Sequence, residues 1–305
     1  MQARLGVAPI AWSNDDLPEL GGDTPLETCL REAAEAGFTG IETGGKFPAQ
    51  AAELGPLLKQ FRLSLCGGWY SGTVLTNDPQ AEKDQVHTQL TLFRELQAPC
   101  LVYGETAHTI QNIRNAPLRS RIRLDDAQIR TYGHRLTEFS EYCADAGMPI
   151  AFHHHMGTAI ESEQDVDRLM NHTGEAVHLL YDPGHMAFAG GDVMRVIEKH
   201  ARRVTHFHAK DVRRRIIDGL DRNRESFLDA VLKGAFTVPG DGGLDFPSMI
   251  SQLAELGYQG WFVVEAEQDP AKAPPDEYAK IGYATLHAAL AAAGYRIMDG
   301  EHEQN

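Results

Sequence analysis

The sequence predicts one α/β domain, a closed (β/α)8 TIM barrel in which each of eight parallel strands is followed by a helix. Short apolar runs alternate with amphipathic segments eight times along the chain, and such alternation indicates a parallel sheet. Four of the apolar runs end in His, Asp or Glu, as expected where the loops after barrel strands converge. The length of 305 residues also suits this fold, since a barrel domain needs roughly 250 residues.

The predicted strands are short and apolar, and each is followed by a segment with helical periodicity. They lie near residues 5–10, 39–43, 62–66, 100–103, 149–153, 177–181, 203–208 and 260–265. Eight β/α units in one chain predict closure of the sheet into a barrel.

Two helices have clear sequence signals. Thr24, Pro25 and Glu27 form the pattern of a capping box with proline at the first helical position, and Gly37 supplies a left-handed end. The helix after the fourth strand is expected to lay one apolar stripe on the barrel. That stripe consists of Ile129, Tyr132, Leu136, Phe139 and Cys143.

Two long segments interrupt the regular spacing, 105–124 after the fourth strand and 211–243 after the seventh. Long loops in compact domains usually serve as lids or binding loops, so we expect both on the catalytic face. The sequence has no interdomain linker and no low-complexity tract. We therefore assign residues 1–300 to one catalytic barrel and 301–305 to a polar C-terminal tail.

The composition argues against several classes of partner. The formal net charge is −15, from 28 basic and 43 acidic residues, and such a balance repels nucleic acid and anionic membranes. No segment has the features of a signal peptide or a membrane span. The four cysteines show no CxxC pairing and are expected to be buried thiols of a reducing compartment. These residues are Cys29, Cys66, Cys100 and Cys143. We expect a cytoplasmic protein.

The apolar runs that end in metal-binding side chains predict one metal site at the barrel mouth. The candidate ligands are His153, Asp182, His208 and Glu265. Alternate residues of a strand share a face, so His155 should point the same way as His153. His154 should then point away, toward the helices or a neighbouring subunit. A lone histidine is more often a core residue than a ligand, and we assign His154, His172 and His200 to the core.

The ligand chemistry limits the metal. Imidazole and carboxylate groups without thiolate suit Mn²⁺, Co²⁺, Fe²⁺ or Zn²⁺, and Mg²⁺ is also compatible. An open coordination position would let a substrate oxygen bind and be polarised.

Several segments carry a resemblance to a known family. The sequences DPGH at 182–185, HAKD at 208–211 and PGDGGLDF at 239–246, followed by Glu265, resemble the xylose isomerase-like TIM-barrel superfamily of metal-dependent isomerases, epimerases and lyases. Three others are similar to the inosose dehydratases of inositol catabolism within that superfamily. They are APIAWSNDD at 8–16, GIETGGKFP at 40–48 and HHHMGT at 153–158.

The resemblance implies a reaction and a cofactor. The reaction is loss of water from 2-keto-myo-inositol to a trihydroxycyclohexane-1,2-dione, with Mn²⁺ or Co²⁺ as the metal. Isomerases and epimerases of the superfamily commonly carry glutamates on the fifth and eighth strands. This chain keeps Glu265 but has His153 on the fifth strand, a departure that leaves the fifth-strand ligand open and favours elimination over epimerisation.

Further residues receive roles from their positions near these ligands. Glu265, His155, His185 and Lys210 are candidates for acid/base catalysis or for hydrogen bonds to ring hydroxyls. Candidate substrate contacts are of two kinds. Glu42 and Lys46 could bind a polyol, and Trp12 and Trp69 offer flat apolar surfaces against which a sugar-like ring can pack.

Other functions remain open at this point. A keto-sugar isomerase or epimerase of the same fold would interconvert its substrates without losing water. A DNA-repair endonuclease would need more metal ligands and a basic groove, and a non-catalytic sugar-binding protein would bind without turnover. We expect a small polyol or keto-inositol as the partner, with homo-oligomerisation left open.

Overall fold

Eight parallel strands close into a barrel in the computed structural model, which describes residues 1–298. In order around the barrel they are β1 (Gln2–Val7), β2 (Gly40–Thr43), β3 (Ser64–Gly72), β4 (Leu101–Glu105), β5 (Ile150–His153), β6 (His178–Tyr181), β7 (Val204–Ala209) and β10 (Gly260–Val264). Closure comes from β10 pairing with β1, where Leu5 lies opposite Phe262. The predicted (β/α)8 barrel and all eight predicted strands are confirmed, while the predicted tail at 301–305 lies outside the described residues.

Three short strands lie outside this ring. A two-residue strand, β11 (Arg296–Ile297), pairs in parallel with the start of β1, where Gln2 lies opposite Arg296. An antiparallel ribbon of β8 (Asp211–Val212) and β9 (Phe236–Thr237) rises after β7. This ribbon belongs to the long predicted segment 211–243, which is therefore an ordered subdomain of the catalytic face.

The helices lie around the barrel and within the segments inserted after its strands. They are α1 (Leu26–Ala36), α2 (Ala51–Gln60), α3 (Pro79–Glu95), α4 (Asp126–Asp145), α5 (Glu163–Asn171), α6 (Pro183–Ala189), α7 (Val193–His200), α8 (Arg214–Asp218), α9 (Phe227–Leu232), α10 (Phe246–Glu255) and α11 (Pro275–Ala292). The two long segments meet, because the backbone N–H of Leu118 donates to the carbonyl of Glu225 at 2.8 Å. Both lie at the same end of the barrel, as predicted.

The start of α1 differs from the prediction. Pro25 precedes the first helical residue with an extended backbone, and no side chain caps this helix, so the predicted capping box of Thr24 and Glu27 does not form. Because Pro25 occupies the cap position itself, Thr24 lies one residue too far from the free amides. The predicted end is confirmed, since Gly37 has a φ of 106°.

The largest apolar core lies between the sheet and the helices. The predicted stripe of α4 is buried there, which confirms its orientation. All four cysteines are buried and free, as expected. Within residues 1–298, no helix combines the length and apolar character needed to cross a bilayer.

Candidate active site

The four predicted metal ligands converge at the carboxyl ends of β5, β6, β7 and β10. One ligand atom from each of His153, Asp182, His208 and Glu265 lies within 4.8 Å of the others. His208 Nδ1 is 3.1 Å from His153 Nε2 and 3.2 Å from Glu265 Oε2. Metal–ligand bonds of about 2.0–2.2 Å separate neighbouring donor atoms by roughly 3–3.5 Å. The spacing therefore fits donors arranged around one ion.

Asp182 presents one carboxylate oxygen to its own helix and the other to this cluster. Its Oδ1 accepts from the backbone N–H of His185 at 2.9 Å, which caps α6. Its Oδ2 is buried and has no hydrogen-bond partner among residues 1–298, and it lies 3.6 Å from His153 Nε2. The ammonium of Lys210 lies 3.5 Å from this oxygen without making a hydrogen bond to it, so a cation bound at closer range would satisfy the oxygen better.

Glu42 lies behind His208. Its Oε1 is 3.0 Å from His208 Nε2 and 2.9 Å from His206 Nε2. Burial favours the neutral carboxyl, but His208 and His206 outweigh it and hold the pKa of Glu42 well below its usual range. If His208 donates Nε2–H to Glu42, its Nδ1 lone pair faces the other ligands, a carboxylate–histidine arrangement typical of metal sites.

The same carboxylates control the charge of His208. Burial disfavours the imidazolium, but Glu42 and Glu265 together outweigh it and raise the pKa of His208 to about 10. His153 shows the opposite behaviour, because burial and the neighbouring His208 hold its pKa well below the ordinary value. In the absence of an ion, the two imidazoles therefore carry different charges although they are 3.1 Å apart.

Lys210 is fully buried beside the ligands. Its Nζ lies 2.8 Å from Glu265 Oε2 and 2.7 Å from Glu267 Oε2. Burial favours the neutral amine, but Asp182 and Glu265 outweigh it and raise the pKa of Lys210. Gly184 permits this placement, because a Cβ there would lie 2.5 Å from Lys210 Cγ. The glycine of the DPGH segment is thus required by the packing of the lysine.

The rings of His155 and His185 contact each other at an interplanar angle of 48° next to Lys210. Their ring centroids are 3.9 Å apart. His155 Nδ1 lies 2.8 Å from the carbonyl of Met156, so it carries a proton and leaves Nε2 directed at Glu267 Oε1, 3.5 Å away. His185 Nε2 is 2.7 Å from Lys210 Nζ, and burial, His155 and Lys210 hold its pKa well below the ordinary value.

The charge balance of this cluster favours a divalent cation. Four buried carboxylates belong to it, those of Glu42, Asp182, Glu265 and Glu267. Among the described residues of the cluster, the cations that face them are Lys210 and the protonated form of His208. The formal charge is therefore about −2 with His208 protonated and about −3 with His208 neutral, as a metal ligand must be, and a divalent ion would reduce this excess negative charge. Together with the donor spacing and the Asp182 oxygen that lacks a hydrogen bond, this shows that the residues present fit a metal ion.

A cavity of about 120 Å³ opens above the cluster. Its lining includes His153, His155, His208, Glu42 and Glu265. Trp69 forms one wall, with its ring centroid 5.6 Å from that of His153 and 5.7 Å from that of His155. His153 and His155 thus face the same cavity, as predicted from strand alternation.

Two of the predicted substrate contacts lie elsewhere. Trp12 is buried in the core and donates its Nε1–H to Glu32 at 2.7 Å. Lys46 Nζ donates to the backbone carbonyls of Gly22 and Thr24. Neither residue lines the cavity above the cluster. The structure therefore does not bring Trp12 and Lys46 to the candidate site.

His154 faces away from the cavity, but it is not exposed. Its ring lies 5.8 Å from that of Tyr181, and its Nε2 accepts from the backbone N–H of Asp182 at 3.3 Å. Burial lowers the pKa of His154 to about 4, which keeps the ring a neutral acceptor. It therefore supports the position of Asp182 from the outer side of the sheet.

Sequence reasoning missed three residues of the cavity, Glu267, Asp16 and Gln111. Glu267 had a usable signal, because it follows Glu265 by two residues and alternate residues of an extended segment point the same way. Asp16 lies in the APIAWSNDD segment but received no role. Gln111 lies in the loop after β4, where no local pattern predicts which side chain reaches the barrel mouth. In the structure, Gln111 Nε2 donates to Asp16 Oδ2 at 3.3 Å.

The chain is similar to known proteins in both sequence and fold. The rhizopine catabolism protein MocC of Rhizobium meliloti is 47% identical over 301 residues, which cover 99% of this chain and 93% of that protein. The inosose dehydratase of Geobacillus thermodenitrificans (strain NG80-2) is 40% identical over 282 residues, 91% of this chain and 94% of that protein.

A solved structure described as the IolI protein with a bound zinc atom superposes with a TM-score of 0.66. It covers 95% of this chain and 97% of its own, at 14% identity, so the similarity concerns the fold. The sequence model of the xylose isomerase-like TIM barrel matches residues 30–294. The chain therefore belongs to the xylose isomerase-like TIM-barrel family.

Proposed function

We propose that this protein is a metal-dependent hydro-lyase that removes water from an inosose, with 2-keto-myo-inositol as the substrate. The observation that carries the proposal is the convergence of four candidate ligands, among them the proposed base Glu265, at a cavity that His155 and Glu267 also line. The 40% identity to an inosose dehydratase over 91% of the chain supports the choice of substrate.

The ion would be held by His153, Asp182, His208 and Glu265. When bound, a divalent ion supplies Lewis-acid polarisation of the substrate ketone, which makes the adjacent C–H bond more acidic. We propose Mn²⁺ or Co²⁺, since imidazole and carboxylate donors without thiolate suit these ions.

The proton transfers are assigned to residues that line the cavity. Glu265 takes the proton from the carbon next to the ketone, and the electrons of that C–H bond form the new C=C bond. The C–O bond of the β-hydroxyl breaks, and His155 gives a proton to the departing oxygen, which leaves as water. The resulting enol tautomerises to the dione.

Two neighbouring groups support these transfers. Burial favours a protonated Glu265, but Lys210 and His208 outweigh it and lower its pKa, which keeps the carboxylate ready to accept a proton. Glu267 Oε1 lies 3.5 Å from His155 Nε2, so its carboxylate faces this ring nitrogen. The flat ring of Trp69 packs against the substrate ring, and the amide of Gln111 binds hydroxyls.

The decisive experiment measures the mass of the product. Purified protein loaded with Mn²⁺ is incubated with 2-keto-myo-inositol, and the expected product is a dione with one water fewer by mass. A product of unchanged mass in equilibrium with its substrate would assign the site to an isomerase or epimerase. No turnover by the metal-loaded protein would leave a sugar-binding protein.

A variant tests the assignment of Glu265. Glu265→Gln should lower turnover by at least about a hundredfold, since an amide cannot take the proton. Glu32→Gln is the matched control, because Glu32 contacts Trp12 away from the cavity, and it should retain parental turnover. Turnover by Glu265→Gln equal to that of this control would remove Glu265 from the mechanism.

A further inference from the structure

A second, larger cleft lies directly outside the catalytic cavity. Its volume is about 960 Å³, against about 120 Å³ for the inner cavity. The two share part of their lining, which forms a neck between them. The shared residues are Asp15, Asp16, Thr43, Gly44, Trp69 and Gln111. A ligand seated above the candidate metal ligands therefore has one side directed into the outer cleft.

The outer cleft is much larger than one inosose ring requires. Cavities of roughly 300–1,000 Å³ accommodate molecules of drug size, whereas an inosose is a single six-membered ring with its oxygens. In the proposed function the ring occupies the inner cavity and the neck. Most of the outer cleft then remains available to a group attached to the ring.

The walls of this cleft are fixed by hydrogen bonds. Glu82 Oε1 accepts from Tyr70 Oη at 2.7 Å, and its Oε2 accepts from Thr73 Oγ1 at 2.8 Å. These bonds tie β3 and its following loop to α3. Gln89 Nε2 donates to the carbonyl of Trp69 at 2.9 Å. A wall held in this way is preorganised, which lowers the entropic cost of binding.

The lining chemistry selects an uncharged, hydroxyl-bearing group. Amide and hydroxyl side chains supply both donors and acceptors, and they include Gln85, Thr88 and Asn112. Phe47 offers an apolar surface on the same cleft. Among the described residues that line it, His108 is the one basic side chain, whereas Asp15 and Asp16 are acidic. The cleft therefore repels phosphate and carboxylate groups.

We propose that the outer cleft is a subsite for a neutral sugar residue attached to an oxygen of the inositol ring. The substrate class would then include keto-inositols that carry a glycosyl group, with the inositol ring above the metal ligands. This assignment rests on the proposed function, because that function places the ring in the inner cavity.

The test compares the binding of unreactive analogues to the Mn²⁺-loaded protein by calorimetry. Galactosyl-myo-inositol should bind about tenfold more tightly than myo-inositol, the effect expected of one or two additional hydrogen bonds. myo-Inositol 1-phosphate should bind more weakly than myo-inositol. Equal or weaker binding of the galactosyl compound, including no measurable binding, would overturn the proposal.

A pair of variants on α3 locates the binding. Thr88 lines the outer cleft and is exposed, so Thr88→Trp should fill the cleft and remove the preference for the galactosyl compound. Thr91 is one turn further along the same helix and does not line the cleft. Thr91→Trp should therefore keep the preference of the parent protein. Equal ratios of the two affinities in both variants would show that the galactosyl group binds elsewhere.

These outcomes are separate from those of the proposed function. Dehydration of 2-keto-myo-inositol without tighter binding of the galactosyl compound would contradict the subsite alone. Tighter binding without dehydration of either the free or the glycosylated ketone would contradict the dehydratase and leave the subsite as a binding site.

Discussion

Glu42 provides the sharpest test of the candidate metal site, because it contacts a ligand from outside the ligand set. Its carboxylate lies 3.0 Å (Oε1) and 3.1 Å (Oε2) from His208 Nε2, and its Oε1 also contacts His206. Glu42→Gln keeps the volume of the side chain but removes the negative charge. The amide can still accept one hydrogen bond, so the change acts on the electrostatics of His208 and leaves its packing in place.

The expected loss of metal affinity follows from the role of carboxylates that contact a ligating imidazole. They orient a ligating imidazole and raise its basicity, and their loss typically lowers metal affinity by about 10–100-fold. That range corresponds to roughly 1.4–2.7 kcal/mol of binding free energy. The upper part of the range is expected here, because Glu42 is buried and the charge lost is poorly screened.

The assay is a competition titration of Mn²⁺ or Co²⁺ between the protein and a chelating indicator dye. Glu32→Gln is again the control, since Glu32 lies on α1 and binds the Trp12 indole. It removes a carboxylate without approaching the cavity, and its metal affinity should equal that of the parent. If Glu42→Gln binds the ion as tightly as Glu32→Gln does, Glu42 does not support the ligand His208.

Three further predictions address proton transfer, substrate recognition and stability. Glu267→Gln should change the dissociation constant of the metal by no more than about twofold but lower kcat by about a hundredfold. The reason is that Glu267 lies outside the candidate ligand set and faces His155. A parallel loss of metal affinity would show instead that Glu267 is a ligand. Asp16→Asn should raise KM about tenfold with little change in kcat, because Asp16 lines the cavity at its neck, and steady-state kinetics showing a loss confined to kcat would contradict this. Burial raises the pKa of Glu105 from 4.5 to about 7, so the folded protein holds this proton more tightly than the unfolded chain does. The protonated Glu105 carboxyl therefore contributes to the free energy of unfolding. This contribution is fully present below pH 4.5 and is lost as the pH rises through about 7, which should lower the free energy of unfolding by up to roughly 3 kcal/mol. Urea denaturation at several pH values should show a flatter pH dependence for Glu105→Gln, and identical profiles would refute the assignment.

The strands and the ligand positions could be predicted because they depend on local patterns. A buried barrel strand is a short apolar run, and its register fixes which residues point inward. That logic placed His153 and His155 on one face and His154 on the other, and the structure agrees. The start of α1 was predicted less accurately. Thr24 suits the cap position and Pro25 suits the first helical position, but the backbone conformation places Pro25 at the cap position.

Substrate contacts were harder to predict, because they depend on how loops fold over the barrel. Trp12 and Lys46 lie close in sequence to residues of the cavity, yet Trp12 packs into the core and Lys46 binds backbone carbonyls. Gln111 reaches the cavity from a loop with no periodic pattern. Such placements follow from tertiary packing between distant segments, which a single sequence does not encode in any local spacing.

The histidine on the fifth strand and the carboxylate of Glu267 are connected features of this chain. With His153 in place of a glutamate, the ligand set contains two imidazoles and two carboxylates, and Glu265 is its only glutamate. Glu267 adds a second glutamate to the cavity without joining that set. Lys210 lies between Glu265 and Glu267, at 2.8 Å and 2.7 Å, and so holds the two carboxylates together despite their like charges. An elimination needs one group to take a proton and another to give one, and the proposed pair is Glu265 and His155. Glu267, outside the candidate ligand set, lies 3.5 Å from His155 Nε2, so it can act on the proton-giving group without displacing a candidate ligand.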